Sequence, residues 1–160
     1  ADHETQARTV QLERASTIVV PVDFSVASVP LLRTAANLAR IYGATIHLLH
    51  VYQDVFSVLS MRTFDLSEEV VEQVVLKEIE EKCSSLLGEA NIDVPVEREL
   101  RKGETAEEIL AYVKEVNADM VVIATNARSG LEHFFIGSIA QRVVRYATCP
   151  VVTLRAIPAE

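Results

Sequence analysis

Few residues in this chain combine useful chemistry with a promising position, and most of them directly follow an apolar run. Asp23 closes the run Val19-Val20-Pro21-Val22. A carboxylate at the end of an apolar strand is costly unless it meets donors or water. Two roles fit it: accepting hydrogen bonds from a ligand's amino or hydroxyl groups, or capping the following turn as an Asx motif. Residues 125–136 form the second candidate, with Asn126, Arg128, Ser129, Gly130 and His133 ahead of Phe134-Phe135-Ile136. Strand-to-helix links commonly take ~2–6 residues, so a link this long reads as functional. It ends in Gly137-Ser138 at a helix start. Unsatisfied N–H donors and the positive end of the helix dipole make such a start a place for an anion.

Other reactive side chains carry less. His47 and His50 sit on an apolar run with no His, Cys or Glu at metal-ligand spacing. Both read as satisfied core residues, and no metal site is expected. Cys83 and Cys149 lie far apart, which leaves neither a disulfide scaffold nor a zinc site. No strand-end nucleophile is paired with a base. No catalytic residue is therefore assigned, and the chain is not expected to be an enzyme.

The elements that must position these residues are legible as five short apolar runs, at 18–22, 46–51, 94–100, 120–124 and 151–154. Four are near-continuous, as strands buried on both faces of a parallel sheet are. The third alternates, with Val94, Val96 and Leu100 on one side, and contains Pro95, which places it at an edge. Helical patterns fill the gaps. Ser28 is the expected N-cap of a first helix that stops at Gly43. From Ser67, the stripe Val71, Val75, Ile79, Cys83 and Leu86 predicts a second helix ending at Gly88. Thr105 with Glu108 has the spacing of a capping box for a third. The last helix opens at Gly137-Ser138 and stops before Cys149-Pro150. Such alternation predicts an open, doubly wound α/β sheet with helices on both faces. Ligands of these sheets bind beyond the carboxyl ends of the strands, where strand order reverses.

Composition sets the outer limits. Hydrophobic residues make up 49% and charged residues 24%, the usage of a globular domain and not of a disordered or fibrous chain. Acids outnumber bases 23 to 15, a net charge of −8, which argues against nucleic acid and anionic membranes as partners. No apolar run approaches the ~18 residues of a membrane span. Residues 1–15 read as a flexible polar tail unlike a signal peptide, 16–155 as one domain, and 156–160 as a second short tail. The expected location is the cytoplasm.

Three separated blocks also resemble the universal stress protein family. They are Ile18-Val19-Val20-Pro21-Val22-Asp23-Phe24-Ser25, then Leu48-Leu49-His50-Val51, then a closing block. That block comprises Ala124-Thr125-Asn126-Ala127-Arg128-Ser129-Gly130-Leu131, Gly137-Ser138-Ile139-Ala140-Gln141-Arg142-Val143 and Cys149-Pro150-Val151-Val152. The resemblance implies a five-stranded parallel sheet of order 3-2-1-4-5. It also implies a role in stress resistance and a homodimer formed through the last strand, which opens on Val151 and closes on Leu154.

One branch of the family binds ATP or AMP. The resemblance would put adenine and ribose near Pro21, Val22, Asp23 and Ile46, and phosphates against Ala127, Gly137, Ser138 and the N–H groups of Ile139 and Ala140. The branch's phosphate motif is G-x2-G-x9-G-[S/T], which aligns with Ala124, Ala127, Gly137 and Ser138. Spacing and the final pair agree, but both leading glycines are alanine. If both positions need the left-handed region, the alanines cost ~1–2 kcal/mol each; if glycine serves only close approach, a small backbone shift suffices. The alternative implied is a protein-interaction module that has lost nucleotide binding and uses Phe134, Phe135 and the stretch 52–65. If ATP binds, slow turnover would be at most a side activity.

Overall fold

Each strand run is continuous in sequence yet alternates in space, because successive side chains point to opposite faces of the sheet. Val19 faces one helical layer and Ile18 and Val20 the other, and all three are fully buried. The computed structural model describes residues 15–54, 67–125 and 137–155. The strands are β1 (Thr17–Pro21), β2 (Thr45–Tyr52), β3 (Val96–Lys102), β4 (Met120–Thr125) and β5 (Val151–Arg155). The helices are α1 (Ser28–Tyr42), α2 (Glu68–Ala90), α3 (Thr105–Glu115) and α4 (Ser138–Tyr146). Every strand pair is parallel, and the order is β3-β2-β1-β4-β5. The strand with Pro95 just ahead of it is an edge, as its missing N–H requires.

Two core layers follow from the alternation. Leu31 and Leu32 of α1 and Ile79 and Cys83 of α2 pack on Ile18, Val20, Ile46, Leu48 and Val122. On the opposite face, Ile109 and Val113 of α3 and Val143 of α4 pack on Val19, Leu49, Val121 and Ile123. At the amino ends of the strands, Asp119 ties the sheet together: its Oδ2 accepts from Ser16 N–H at 2.8 Å and Thr17 N–H at 3.0 Å. Among the described residues, no helix is long and apolar enough to cross a membrane.

Helix ends depart from the sequence reading in three places. Ser28 is not the cap of α1 but its first residue; Ala27 takes the cap position without a side-chain hydrogen bond. Gly88 does not end α2. The helix runs on to bury Ala90 one turn beyond Leu86, and Asn91 stops it at φ 50°. α3 is capped by Glu104 instead of Thr105: the Glu104 carboxylate accepts from the Glu107 N–H at 2.8 Å. Gly43 does end α1 in the left-handed region, at φ 66°. Ser67 caps α2 by accepting from the Val70 N–H.

Candidate functional site

The order of strands reverses between β1 and β4, the place where an open α/β sheet presents a crevice. Pairing is shortest there. The β1–β4 ladder holds Ile18↔Met120 and Val19↔Val121, whereas β1 and β2 stay in register through Pro21↔Leu49. Pro21 has no N–H to offer a neighbour, so the upper half of β1 leans on β2 instead. Val22 continues that side, its N–H donating to the Leu49 carbonyl at 2.9 Å.

Asp23 stands exposed immediately beyond. Its Oδ1 accepts the Ser25 N–H at 2.9 Å, the Asx turn that sequence offered as one of two roles. The bond occupies one lone-pair direction of one oxygen, and a carboxylate has several. Phe24, next in the chain, has φ 60°, a left-handed conformation that costs a bulky L-residue about 1–2 kcal/mol. Among the described residues, the Ser25 hydroxyl oxygen is buried without a hydrogen-bond partner.

His50 closes the near side of this turn. Its Nδ1 lies 2.7 Å from the Val22 carbonyl oxygen, and its ring centroid is 4.5 Å from that of Phe24. Burial holds the imidazole below its ordinary range, more strongly than the Val22 carbonyl and Asp23 raise it, and Lys82 adds to the lowering. His50 is therefore neutral near neutral pH. Sequence reasoning set it aside as a core residue. The signal it overlooked is register: a strand parallel to β1 carries His50 up to the level of Val22. His47 is the satisfied residue expected, with Tyr112 Oη at 2.7 Å from Nδ1 and Glu97 at 3.5 Å from Nε2.

Across the crevice, Ala124 pairs with Leu154 and Thr125 with Arg155 at the end of β4. Ala124 lies in the ladder and is absent from the residues with positive φ, so alanine brings no left-handed strain there. Gly137, at φ −52° and ψ 152°, is the cap of α4 and has no side chain to bond its first turn, which also carries no acid. Ser138 and Ile139 are exposed, whereas Ala140 is buried. Among the described residues, the first-turn N–H groups of α4 thus have no side-chain acceptor. Arg142 turns aside to Glu104 Oε1 at 2.8 Å.

Of the sequence-predicted residues, Pro21, Val22 and Asp23 gather at the end of β1, Ala124 at the end of β4, and Gly137, Ser138, Ile139 and Ala140 at the start of α4. Ile46 is not brought there. It pairs with Ile18 and Val96 near the amino end of β2, three positions before Leu49, and is fully buried. Ala127, Asn126, Arg128, Ser129, Gly130, His133, Phe134, Phe135 and Ile136 lie outside the described residues, as does the stretch 55–66. A cleft sits beside Tyr52, where Lys102 is 3.7 Å from both Asp54 and Glu72 and so is already matched by acids. Among the described residues, no group of three or more His, Cys, Asp or Glu could hold a metal ion.

The model of the Universal stress protein family matches residues 15–155. The chain belongs to the universal stress protein family. Universal stress protein G of Salmonella typhi is 34% identical over 142 residues, covering 87% of this chain and 98% of the relative. A universal stress protein of Methanocaldococcus jannaschii is 29% identical over 139 residues, covering 86% and 81%. Among solved structures, the universal stress protein from Archaeoglobus fulgidus in complex with dAMP is 27% identical, with TM-score 0.59, covering 88% of this chain and 98% of that one.

Proposed function

We propose that this universal stress protein binds an adenine nucleotide, AMP or ATP, at the carboxyl ends of β1 and β4, as part of a cytoplasmic stress response. One observation carries the reading. Two complementary groups belong to the elements that flank the switch point: an exposed carboxylate just beyond β1 and a helix start on α4 that, among the described residues, no side chain caps. Asp23 can accept from ribose hydroxyls or the adenine amino group, while α4 offers donors and a positive dipole end to phosphate. Pro21 and Val22 form the wall beside the nucleoside. Ala124, Gly137, Ser138, Ile139 and Ala140 form the phosphate side. Ile46 supports the floor from the core and makes no direct contact in this reading.

The dAMP complex of the Archaeoglobus fulgidus relative supports the class of ligand. The strand conformation of Ala124 carries no left-handed strain, which supports the reading at that position. The net charge of −8 is no obstacle, because a few fixed N–H groups decide phosphate binding locally. Binding and not turnover is the function proposed.

Pairing with a second copy completes the reading. Among the described residues, β5 has β4 on one side only, and Val151, Val152 and Leu154 are half-buried along it. A bare apolar edge invites pairing, and a twin strand closes it symmetrically. Sedimentation should give twice the mass of one chain; a monomer at micromolar concentration would refute the dimer. For the ligand, mass spectrometry of the denatured, purified chain should find AMP or ATP released in near-stoichiometric amount. Finding none, even after incubation with millimolar nucleotide, would overturn the proposal.

A further inference from the structure

We propose that His50 is a positioning residue for the site, holding Val22 and Asp23 in the conformation that receives the nucleotide. The inference rests on the nucleotide reading above and extends it to a residue on a neighbouring strand. A backbone carbonyl only accepts, so the His50 Nδ1 must carry the proton that it donates to Val22 at 2.7 Å. This bond grips the residue just before Asp23, beyond the last ladder pair, Pro21↔Leu49.

The ring has a second task. Phe24 is held in the left-handed region at φ 60°, and a bulky residue stays there only when its surroundings insist. The Asx bond from the Ser25 N–H to Asp23 Oδ1 restrains one side of the turn, and the His50 ring, tilted 44° to Phe24, restrains the other. The Ser25 hydroxyl gives no help, being buried without a hydrogen-bond partner. The charged groups acting on the imidazole are Asp23 beyond β1 and Lys82 of α2. The Nδ1 proton is present whether the ring is neutral or cationic, so the grip on Val22 survives titration.

The amide nitrogen of asparagine stands roughly where Nδ1 of histidine does. His50→Asn therefore keeps the donor and loses the ring, while His50→Phe keeps a ring and loses the donor. If phenylalanine prevents folding, His50→Leu serves as the donor-free variant. Two measurements on the full chain separate the claims: AMP affinity by calorimetry, and hydrogen exchange of the Ser25 amide by NMR without nucleotide. The donor-free variant should weaken AMP about tenfold and speed Ser25 exchange by about the same factor, while His50→Asn, which loses only the ring's restraint on Phe24, should cost about threefold in each. Equal losses in both variants, or no change in either, would overturn the proposal. If wild type itself binds no AMP, the nucleotide reading fails, and Ser25 exchange alone decides the role of His50.

Discussion

α3 and α4 lie side by side on one face of the sheet, yet their N-termini are finished in opposite ways. The start of α3 is closed by its own chain. Glu104 accepts the Glu107 N–H, and Glu107 and Glu108 bring negative charge to the first turn. The start of α4 has a glycine cap, no acid in its first turn and, among the described residues, no side-chain acceptor. A helix start needs its donors met and its dipole opposed, and α3 does both internally. α4 leaves both tasks to something outside the helix, at the point where the sheet opens. That contrast is the physical core of the nucleotide reading.

The sharpest way to break it is to finish α4 as α3 is finished. Gly137 has no positive φ, so Gly137→Asp can be accommodated and would accept the first-turn N–H groups itself. AMP affinity should fall about 100-fold by calorimetry, the loss of one or two charge-assisted hydrogen bonds plus repulsion of the phosphate. Thermal stability should rise slightly in the same variant, by a few tenths of a kcal/mol for the cap. Opposite signs in the two measurements identify a donor set reserved for a ligand.

The converse change opens α3. Glu104→Ala should cost about 1 kcal/mol of stability in denaturant unfolding and leave AMP affinity unchanged. Arg142→Ala cuts the exposed bridge from α4 to Glu104 and should cost less, about 0.2–1 kcal/mol. The smallest effect is in pH. The Glu107 N–H, opposed by partial desolvation and aided by Arg142, holds the Glu104 carboxylate below its ordinary range. A depressed carboxylate stabilises the fold above its unfolded value and loses that contribution as pH falls through its folded value. The difference in Tm between wild type and Glu104→Ala should therefore shrink on acidification through the glutamate range.

The two edges of the sheet show a related contrast. β3 carries Glu97, Arg98, Glu99, Arg101 and Lys102, and Arg101 bridges Glu99 at 2.8 Å and Glu115 at 2.6 Å. Charge of this kind discourages another strand from adding on. β5 offers mostly uncharged residues until Arg155. The two edges are unequal invitations, and the proposed dimer uses the open one.

Strand positions were legible because burial on both faces writes an unmistakable run, and Pro95 marked one edge; the full order was what the family resemblance implied. Helix ends were less so, since a local cap signal competes with tertiary burial. Gly88 looks like a stop, but Ala90 had core to reach, and the helix continued to Asn91. Glu104 and Thr105 both have the spacing of a cap, and geometry chose the carboxylate. Asp23 stood out because it follows a strand directly, and the start of α4 because a long link leads into it. His50 was missed, and Ile46 was expected at the site, for one reason: only the register of β2 against β1 shows which residue reaches the strand ends. Phe24 carries no sequence signal for φ 60°, because its conformation is imposed by the neighbours that hold it.

Calorimetric titration of AMP and ATP into the wild-type chain and into Gly137→Asp tests the central claim most directly. The account predicts saturable binding to wild type that is weakened about 100-fold in the variant. Equal affinity in the two proteins, or no heat from wild type at millimolar nucleotide, would contradict it.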